Sequence, residues 1–231
     1  MTRWNAAQEL EAKTWREGIT ASPVQIIDEL TDAIRVERLI RHHGLEYRHA
    51  VDVGIGPLGV GWIGLFGVGG QEDLIGLDPL ERIEPHSGHR ELDTFLTSLQ
   101  SRIVYVRSRA EDARLPSASF DLVVCDNVVD HAEEPAAVLR ECARLITRDG
   151  AMVFGVNVFS LLGHQKWLRY TRVRDASAPN VVMHPHSYTA GSARRLLEAN
   201  EWRVVADYPG LRTQRLSSHS YRYYAVARRA R

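Results

Sequence analysis

The chain has few cysteines, no net charge and no long apolar run, and each shortage excludes a class of protein. Neither of its two cysteines, Cys125 and Cys142, has a second cysteine or a histidine at a zinc-ligand spacing. Lysine plus arginine and aspartate plus glutamate both number 29, so no net field favours nucleic acid or an anionic membrane. No run approaches the roughly 18 apolar residues of a membrane span, and the N-terminus lacks the apolar core of a signal peptide.

These shortages predict a soluble, cytoplasmic protein with reduced core cysteines, no metal site, and no nucleic-acid or membrane partner. Hydrophobic residues make up 44% of the 231 residues and charged residues 25%, as in an ordinary globular protein. The length suits one sizeable domain with an appendage. Nothing in the composition indicates an oligomeric state.

Two helices are predicted before residue 45. Residues 3–18 mix three large apolar side chains with charges and are typical of a short amphipathic helix. A second helix follows, with Ser22 as N-cap, Pro23 at its first position, Gln25 completing a capping box, and Gly44 as its stop. We interpret residues 1–44 as an N-terminal helical cap that either packs on the core or covers a ligand site.

The stretch 50–59, Ala-Val-Asp-Val-Gly-Ile-Gly-Pro-Leu-Gly, organises the rest of the chain. Its first half is short and apolar, as a strand buried on both faces should be. Gly54 and Gly56 lack a Cβ, so the backbone turns sharply there and a ligand can approach it. A helix starting near Pro57 would direct its free N–H groups at that ligand. The G-x-G-x-x-G pattern alone fits an ordinary turn equally well.

From residue 49 onward, strand and helix patterns alternate. This alternation predicts an α/β fold: a Rossmann-like, mostly parallel seven-stranded sheet with helices on both faces. The predicted strands are near 50–53, 73–78, 103–106, 120–125, 151–156, 203–206 and 222–226. The predicted helices cover 92–99, 135–146, 161–170 and 189–197. The domain therefore spans 45–231, and residues 158–187 form an insert.

Ligands of such sheets bind beyond the carboxyl ends of the strands, so polar residues at strand ends are the site candidates. Asp78 ends the second strand about 20 residues after the glycine turn, where a carboxylate can bind both ribose hydroxyls. Glu111 and Asp112 follow the third strand and could accept a hydrogen bond from an adenine amino group. Asn127 follows the fourth strand. Each could also be an ordinary loop residue.

Several stretches resemble one family. Residues 52–57, Asp-Val-Gly-Ile-Gly-Pro, resemble motif I of the class I S-adenosylmethionine-dependent methyltransferases. Residues 110–135 are similar to the small-molecule, type-11 methyltransferase pattern, in which a loop ending Leu-Pro leads to Ser-Phe-Asp, an apolar strand, His and an acid-Pro pair. Residues 137–150 and 183–202 resemble the helices that follow, so the resemblance spans about 48–209. This chain departs from the pattern at Arg109, where members usually have an acid, and in a loop two residues longer.

The resemblance implies S-adenosylmethionine as cofactor and a small molecule as methyl acceptor. Asp52 would orient the glycine turn, with the backbone of Gly54 and Gly56 facing the methionine part of the cofactor. The resemblance further assigns Asp78 to the ribose, Glu111 or Asp112 (with Asp112 preferred) to the adenine, and Asn127 to the vicinity of the methyl group.

Three histidines are candidates for a general base, because histidine is tuned for proton transfer near neutral pH. We rank His184 first and His131 second, with His186 facing the same side as His184 in an extended segment. A structural or solvated role is the alternative for each. Their availability favours O-methylation and leaves N- and C-methylation open.

Two other functions share the glycine turn. An NAD(P)-dependent oxidoreductase uses the same turn and strand-end acid, but does not explain the pattern over residues 110–135. A non-catalytic protein that binds the cofactor as an interaction module is the other alternative.

Overall fold

The computed structural model describes residues 3–19, 23–66, 73–173, 182–208 and 220–230. The helices are α1 (Arg3–Thr14, followed by a π-helical turn over Trp15–Ile19), α2 (Pro23–His42), α3 (Trp62–Phe66), α4 (Arg90–Gln100), α5 (Pro135–Leu145), α6 (Leu161–Val173) and α7 (Ala190–Ala199). The strands are β1 (His49–Val53), β2 (Asp73–Asp78), β3 (Val104–Arg107), β4 (Phe120–Asp126), β5 (Ile146–Phe159), β6 (Trp202–Tyr208) and β7 (Ser220–Arg229).

The seven strands form one sheet in the order β3-β2-β1-β4-β5-β7-β6. The pairs from β3 through β5 are parallel, whereas β7 runs antiparallel to both β5 and β6. The strand order reverses between β1 and β4, and this switch point is where open α/β sheets bind their ligands. The predicted fold class, a mostly parallel seven-stranded sheet, is confirmed.

Helices cover both faces of the sheet because alternate strand residues point to opposite sides. On β4, Val123 and Cys125 pack towards α5 and α7, whereas Leu122 and Val124 pack towards α2 and α3. Helix α2 is therefore part of the core. Both cysteines are free and buried, as expected.

The helix after the glycine turn begins later than expected. The prediction of a start near Pro57 is wrong: α3 begins at Trp62, and residues 56–59 form a turn closed by the Gly59 N–H and the Gly56 carbonyl. Gly56 and Gly59 have φ angles of +78° and +62°, which a right-handed helix cannot include. The buried carboxylate of Asp52 accepts the first free N–H groups, those of Trp62 and Ile63.

A comparison of Gly54 with Gly44 distinguishes the effect of steric crowding from that of backbone strain. Gly54 (φ +73°) and Gly44 (φ +56°) are both left-handed, but a Cβ at Gly54 would overlap Val128, whereas nothing lies within 4 Å at Gly44. We expect Gly44→Ala to lower the free energy of unfolding by about 1 kcal/mol, and Gly54→Ala to cost about 1–3 kcal/mol more. Denaturant unfolding of both variants measures the difference, and equal losses would contradict the predicted crowding.

Strand β5 is longer than predicted. It spans Ile146–Phe159, because pairing with β7 continues from Met152 to Phe159. The predicted Ser22 cap lies outside the described residues, as does part of the 158–187 insert. Within the described residues, no helix is long and apolar enough to cross a membrane.

Candidate active site

A cavity with about 720 Å³ of empty space opens at the carboxyl ends of β1, β2 and β4. Its walls come from α1 and the turn after it, from α2, and from the loops after four strands: Trp4, Gln8, Glu11, Trp15, Glu29, Gly54, Ile55, Gly56, Asp78, Pro79, Ala110, Glu111, Asp126, Asn127, Val128, His131 and Ala132.

The glycine turn forms the floor of the cavity beside Trp15. The Gly54 N–H donates to the Leu77 carbonyl at 2.8 Å, which ties the turn to β2. A Cβ on Gly56 would lie 3.0 Å from the Trp15 ring, so only glycine leaves the ring room at its present position. The turn thus exposes backbone to a ligand while α1 and its following turn close over it.

Asp78 lies at the cavity wall and holds the glycine turn in place. Its carboxylate accepts the Gly56 N–H at 3.1 Å and the Leu80 N–H at 2.9 Å, and its side chain is buried. Burial raises the pKa of Asp78 to about 7, and the Glu11 carboxylate acts in the same direction. The strand-end acid therefore occupies the predicted position.

Asp52 supports the site from below instead of lining the cavity. Burial raises its pKa to about 8, with Asp126 adding to the effect, while the N–H groups of Trp62 and Ile63 oppose it. A Cβ on Gly61 would lie 2.7 Å from its Oδ2 atom, so the turn is packed tightly around the carboxyl group.

Of the two acids in the loop after β3, only Glu111 lines the cavity. The expectation that Asp112 faces the ligand is not met: its side chain is 67% exposed and pairs with Arg114. The Glu111 carboxylate accepts the Glu133 N–H at 3.1 Å and is bridged by Arg109, whose guanidinium also stacks on Trp4. The longer loop thus turns Asp112 outward and Glu111 inward.

Asn127 is held in a fixed orientation at the end of β4. Its φ is +60°, and its Oδ1 atom accepts from Arg222 Nη1 at 2.6 Å and from Asn157 Nδ2 at 3.0 Å. Because the oxygen has two donors, the Nδ2 amide is the group left to donate towards the cavity.

The three candidate histidines occupy different environments. His131 lines the cavity, whereas His184 lies behind it, with Nδ1 3.2 Å from Asp130 Oδ2. The rings of His131 and His184 are 4.3 Å apart. His186 is bound to the Ala132 carbonyl at 3.1 Å and does not line the cavity, so the expectation that His184 and His186 face it together is wrong.

Asp130 is the centre of the histidine cluster. It is 3% exposed, and although burial alone would raise its pKa, His131 and His184 hold that pKa below the ordinary value. The fold also brings one ligand atom from each of Asp130, His131 and His184 within 4.8 Å of one another. The sequence argument against a metal site considered only local spacing, and His184 joins the other two from 53 positions away.

Sequence reasoning missed several cavity residues. Gln8 and Glu11 lie on α1 at helical spacing with Trp4 and Trp15, so the periodicity of residues 3–18 could have revealed this stripe. Glu29 of α2 reaches the cavity, where surrounding protein raises the pKa of its carboxyl group to about 7 despite the opposing effect of Arg222. Nothing in the sequence indicates that Glu29 lies close enough to Arg222 of β7 for this effect.

Comparison with known proteins identifies the fold and a matching domain family. A family model described as a methyltransferase domain matches residues 51–154. The ubiquinone biosynthesis O-methyltransferase of Vibrio campbellii is 30% identical over 103 residues, which cover 41% of this chain and 40% of that protein. The matched segment thus spans about two fifths of that relative's length.

Two solved structures share the fold. The PH0226 protein of Pyrococcus horikoshii superposes with a TM-score of 0.62 at 14% identity, over 94% of this chain and 98% of that one. The 1,6-didemethyltoxoflavin-N1-methyltransferase of Burkholderia thailandensis, solved with S-adenosylhomocysteine, gives 0.56 at 15% identity, over 95% and 82%.

The glycine turn and the strand-end acid Asp78 lie within the matched segment. The β3-β2-β1-β4-β5-β7-β6 sheet extends beyond it. Residues 51–154 therefore match a methyltransferase domain, and the chain as a whole has the fold of the two solved structures.

Proposed function

We propose that the chain transfers the methyl group of S-adenosylmethionine to an oxygen atom of a small molecule. One observation carries this proposal: His131 lines the same cavity as Gly54, Gly56 and Asp78. A proton acceptor and the predicted cofactor-binding groups therefore face one enclosed space. The O-methyltransferase relative, matched over 41% of the chain, supports oxygen as the acceptor atom.

The cavity residues fit the cofactor. Gln8 Oε1 is buried and has no hydrogen-bond partner among the described residues, so it can accept from a polar ligand. The glycine turn leaves room for close backbone approach, and ionised Asp78 can accept from two hydroxyl groups. Glu111 provides an acceptor for the adenine amino group.

When bound, S-adenosylmethionine supplies a sulfonium methyl group that is already electrophilic, and the electron pair of the broken C–S bond stays on sulfur. The acceptor oxygen forms the new C–O bond, and its proton passes to the cluster of Asp130, His131 and His184. The chain's own task is alignment and the exclusion of water, which accounts for most of such a rate enhancement. The N-terminal cap of residues 1–44 takes part through the α1 stripe, and the 158–187 insert through His184.

A thermal shift experiment tests the cofactor. S-adenosylhomocysteine at 100 times its Kd should stabilise the folded chain by about 2.7 kcal/mol, which raises Tm by about 5–10 °C for a protein of this size. NAD and NADP at equal concentration should leave Tm unchanged. A shift with NAD or NADP alone would favour an oxidoreductase and overturn the proposal.

The acceptor class is tested by release of S-adenosylhomocysteine from S-adenosylmethionine over a panel of matched phenols, alcohols and amines. Turnover confined to hydroxyl compounds is the expected result. Turnover with amines only would retain the methyltransferase and reject the oxygen acceptor. Cofactor binding without turnover across the panel would favour the non-catalytic module.

The two acids of the β3–β4 loop provide a matched pair of variants. We expect Glu111→Gln to weaken S-adenosylhomocysteine binding by about 1.5 kcal/mol, or roughly tenfold, because a hydrogen bond to a charged acceptor is lost. Asp112→Asn should bind normally, because that side chain is exposed and outside the cavity. Isothermal titration calorimetry measures both. A larger loss in Asp112→Asn would mean that the loop rearranges when the cofactor binds.

A further inference from the structure

The Asp130–His131–His184 cluster contains buried polar atoms that its hydrogen bonds do not use. Asp130 Oδ1 and both ring nitrogens of His131 are buried and lack a hydrogen-bond partner among the described residues. Leaving such atoms unpaired costs about 1–3 kcal/mol each. Three of them within two adjacent residues at a cavity wall indicate a missing ligand.

The chemistry of these atoms defines the ligand. A carboxylate oxygen offers only lone pairs, and an imidazole nitrogen that is not protonated does the same. Asp130 Oδ2 lies 3.2 Å from His184 Nδ1 and 3.7 Å from His131 Nε2. A single ligand that accepts electron pairs from Asp130 Oδ2, His131 Nε2 and a ring nitrogen of His184 is a metal cation.

The distances suit such an ion. Around a tetrahedral ion with bonds of about 2.0–2.2 Å, neighbouring ligand atoms lie roughly 3.3–3.5 Å apart. Two of the three separations, 3.2 and 3.7 Å, bracket that value, and none of the three exceeds 4.8 Å. A side-chain adjustment on the order of 1 Å therefore completes the set.

We propose that Asp130, His131 and His184 bind one divalent transition-metal ion of the Zn²⁺ type at the wall of the cavity. Two imidazoles and a carboxylate suit Zn²⁺ and similar ions better than Mg²⁺, which prefers oxygen ligands. Three protein ligands leave a fourth position open, as in catalytic sites.

Glu11 completes the arrangement from α1. Its Oε1 atom lies 3.8 Å from His131 Nδ1, the nitrogen that does not face Asp130. Metal-bound histidines usually donate their second N–H to a carboxylate, which fixes the ring and strengthens the bond. Glu11 therefore orients His131 as an outer partner. With the ion bound, His131 has no free nitrogen, so the ion would bind and acidify an acceptor hydroxyl in place of direct proton transfer to His131. This consequence rests on the proposed function.

Titration of the full chain with Co²⁺ tests the site, because Co²⁺ substitutes for Zn²⁺ and has visible d–d absorption. The chain must carry no histidine tag. We expect one Co²⁺ per chain, displacement by Zn²⁺, and a higher Tm with Zn²⁺ than with Mg²⁺. Affinity should rise with pH, because the ligands lose protons on binding.

Variants locate the ion. His131→Gln and His184→Gln should each weaken Co²⁺ binding by at least about tenfold, and Glu11→Gln by about 10–100-fold with the stoichiometry retained. His86→Ala, which removes an exposed histidine outside the cluster, should bind Co²⁺ normally. S-adenosylhomocysteine-induced stabilisation checks that each variant is folded.

The proposal is overturned if the wild-type chain shows neither d–d absorption nor stabilisation by Zn²⁺. It is also overturned if both cluster variants bind Co²⁺ normally, or if His86→Ala loses binding equally. The outcomes are separable from those of the methyltransferase test. A chain that binds S-adenosylhomocysteine but no Co²⁺ rejects only the metal site, and the reverse result rejects only the cofactor.

Discussion

Asp78→Asn is expected to weaken S-adenosylhomocysteine binding by about 10- to 150-fold, equivalent to about 1.5–3 kcal/mol for hydrogen bonds to a charged group. Asparagine has one acceptor oxygen, whereas the Asp78 carboxylate already accepts from Gly56 and Leu80 with two. The variant therefore loses ribose acceptors and loosens the glycine turn. Calorimetry measures the Kd, and Glu81→Gln, an exposed acid shortly after β2, is the control that should bind normally.

The same residue gives the binding a pH dependence. Burial raises the pKa of Asp78 to about 7 in the free protein, and only the ionised carboxylate accepts from both ribose hydroxyls. S-adenosylhomocysteine affinity should therefore fall as the pH drops below about 7, and this dependence should disappear in Asp78→Asn. A wild-type affinity that is constant from pH 5 to 8 (an approximate window around that pKa) would exclude Asp78 as the ribose ligand.

His131→Ala is expected to lower kcat by about 10²–10⁴-fold, the usual contribution of proton transfer by a positioned group. Among the three predicted histidines, His131 is the one that lines the cavity. The Kd of S-adenosylhomocysteine should change by less than about threefold, because an effect on chemistry alone leaves ground-state binding intact. Steady-state kinetics with a hydroxyl acceptor from the panel measures kcat.

One further variant, His184→Ala, defines how His131 acts. His184→Ala should lower kcat less than His131→Ala, because His184 does not line the cavity and contacts Asp130 and the His131 ring. The His184→Ala variant should also lose Co²⁺ binding, because His184 is one of the proposed ligands of the ion. Full activity in both alanine variants would contradict a proton-transfer role and would indicate an amine or carbon acceptor.

Much of the cofactor half of the site could be predicted because it depends on local sequence. Gly54 and Gly56 indicate a left-handed turn, because glycine has no side chain to oppose a positive φ. Asp78 ends an apolar strand at a characteristic sequence separation from them. Parallel strands then bring their carboxyl ends together at one edge of the sheet. The position of each group follows from the strand pattern alone.

The remaining contacts of the site could not be predicted in the same way, because they join distant parts of the chain. Asp130 meets His184 across 54 positions, and Arg222 reaches Asn127 across 95. The choice between Glu111 and Asp112 depends on which way one loop turns, and neighbouring residues of a loop have no periodicity. The sequence leaves both acids as candidates, with Asp112 preferred, but Glu111 is the residue that Arg109 and Glu133 hold against the cavity.

The stripe of Trp4, Gln8, Glu11 and Trp15 lies outside residues 51–154, although it forms one wall of the cavity. The segment that matches the methyltransferase family model therefore forms one side of the cavity. Helix α1 and the turn after it, which lie outside that segment, form another side. Substitutions on this helix can reshape the opening while the glycine turn and its hydrogen bonds to β2 stay unchanged. During divergence, positions of this helix that do not touch the glycine turn can change without any rebuilding of the strand ends that the matched segment provides.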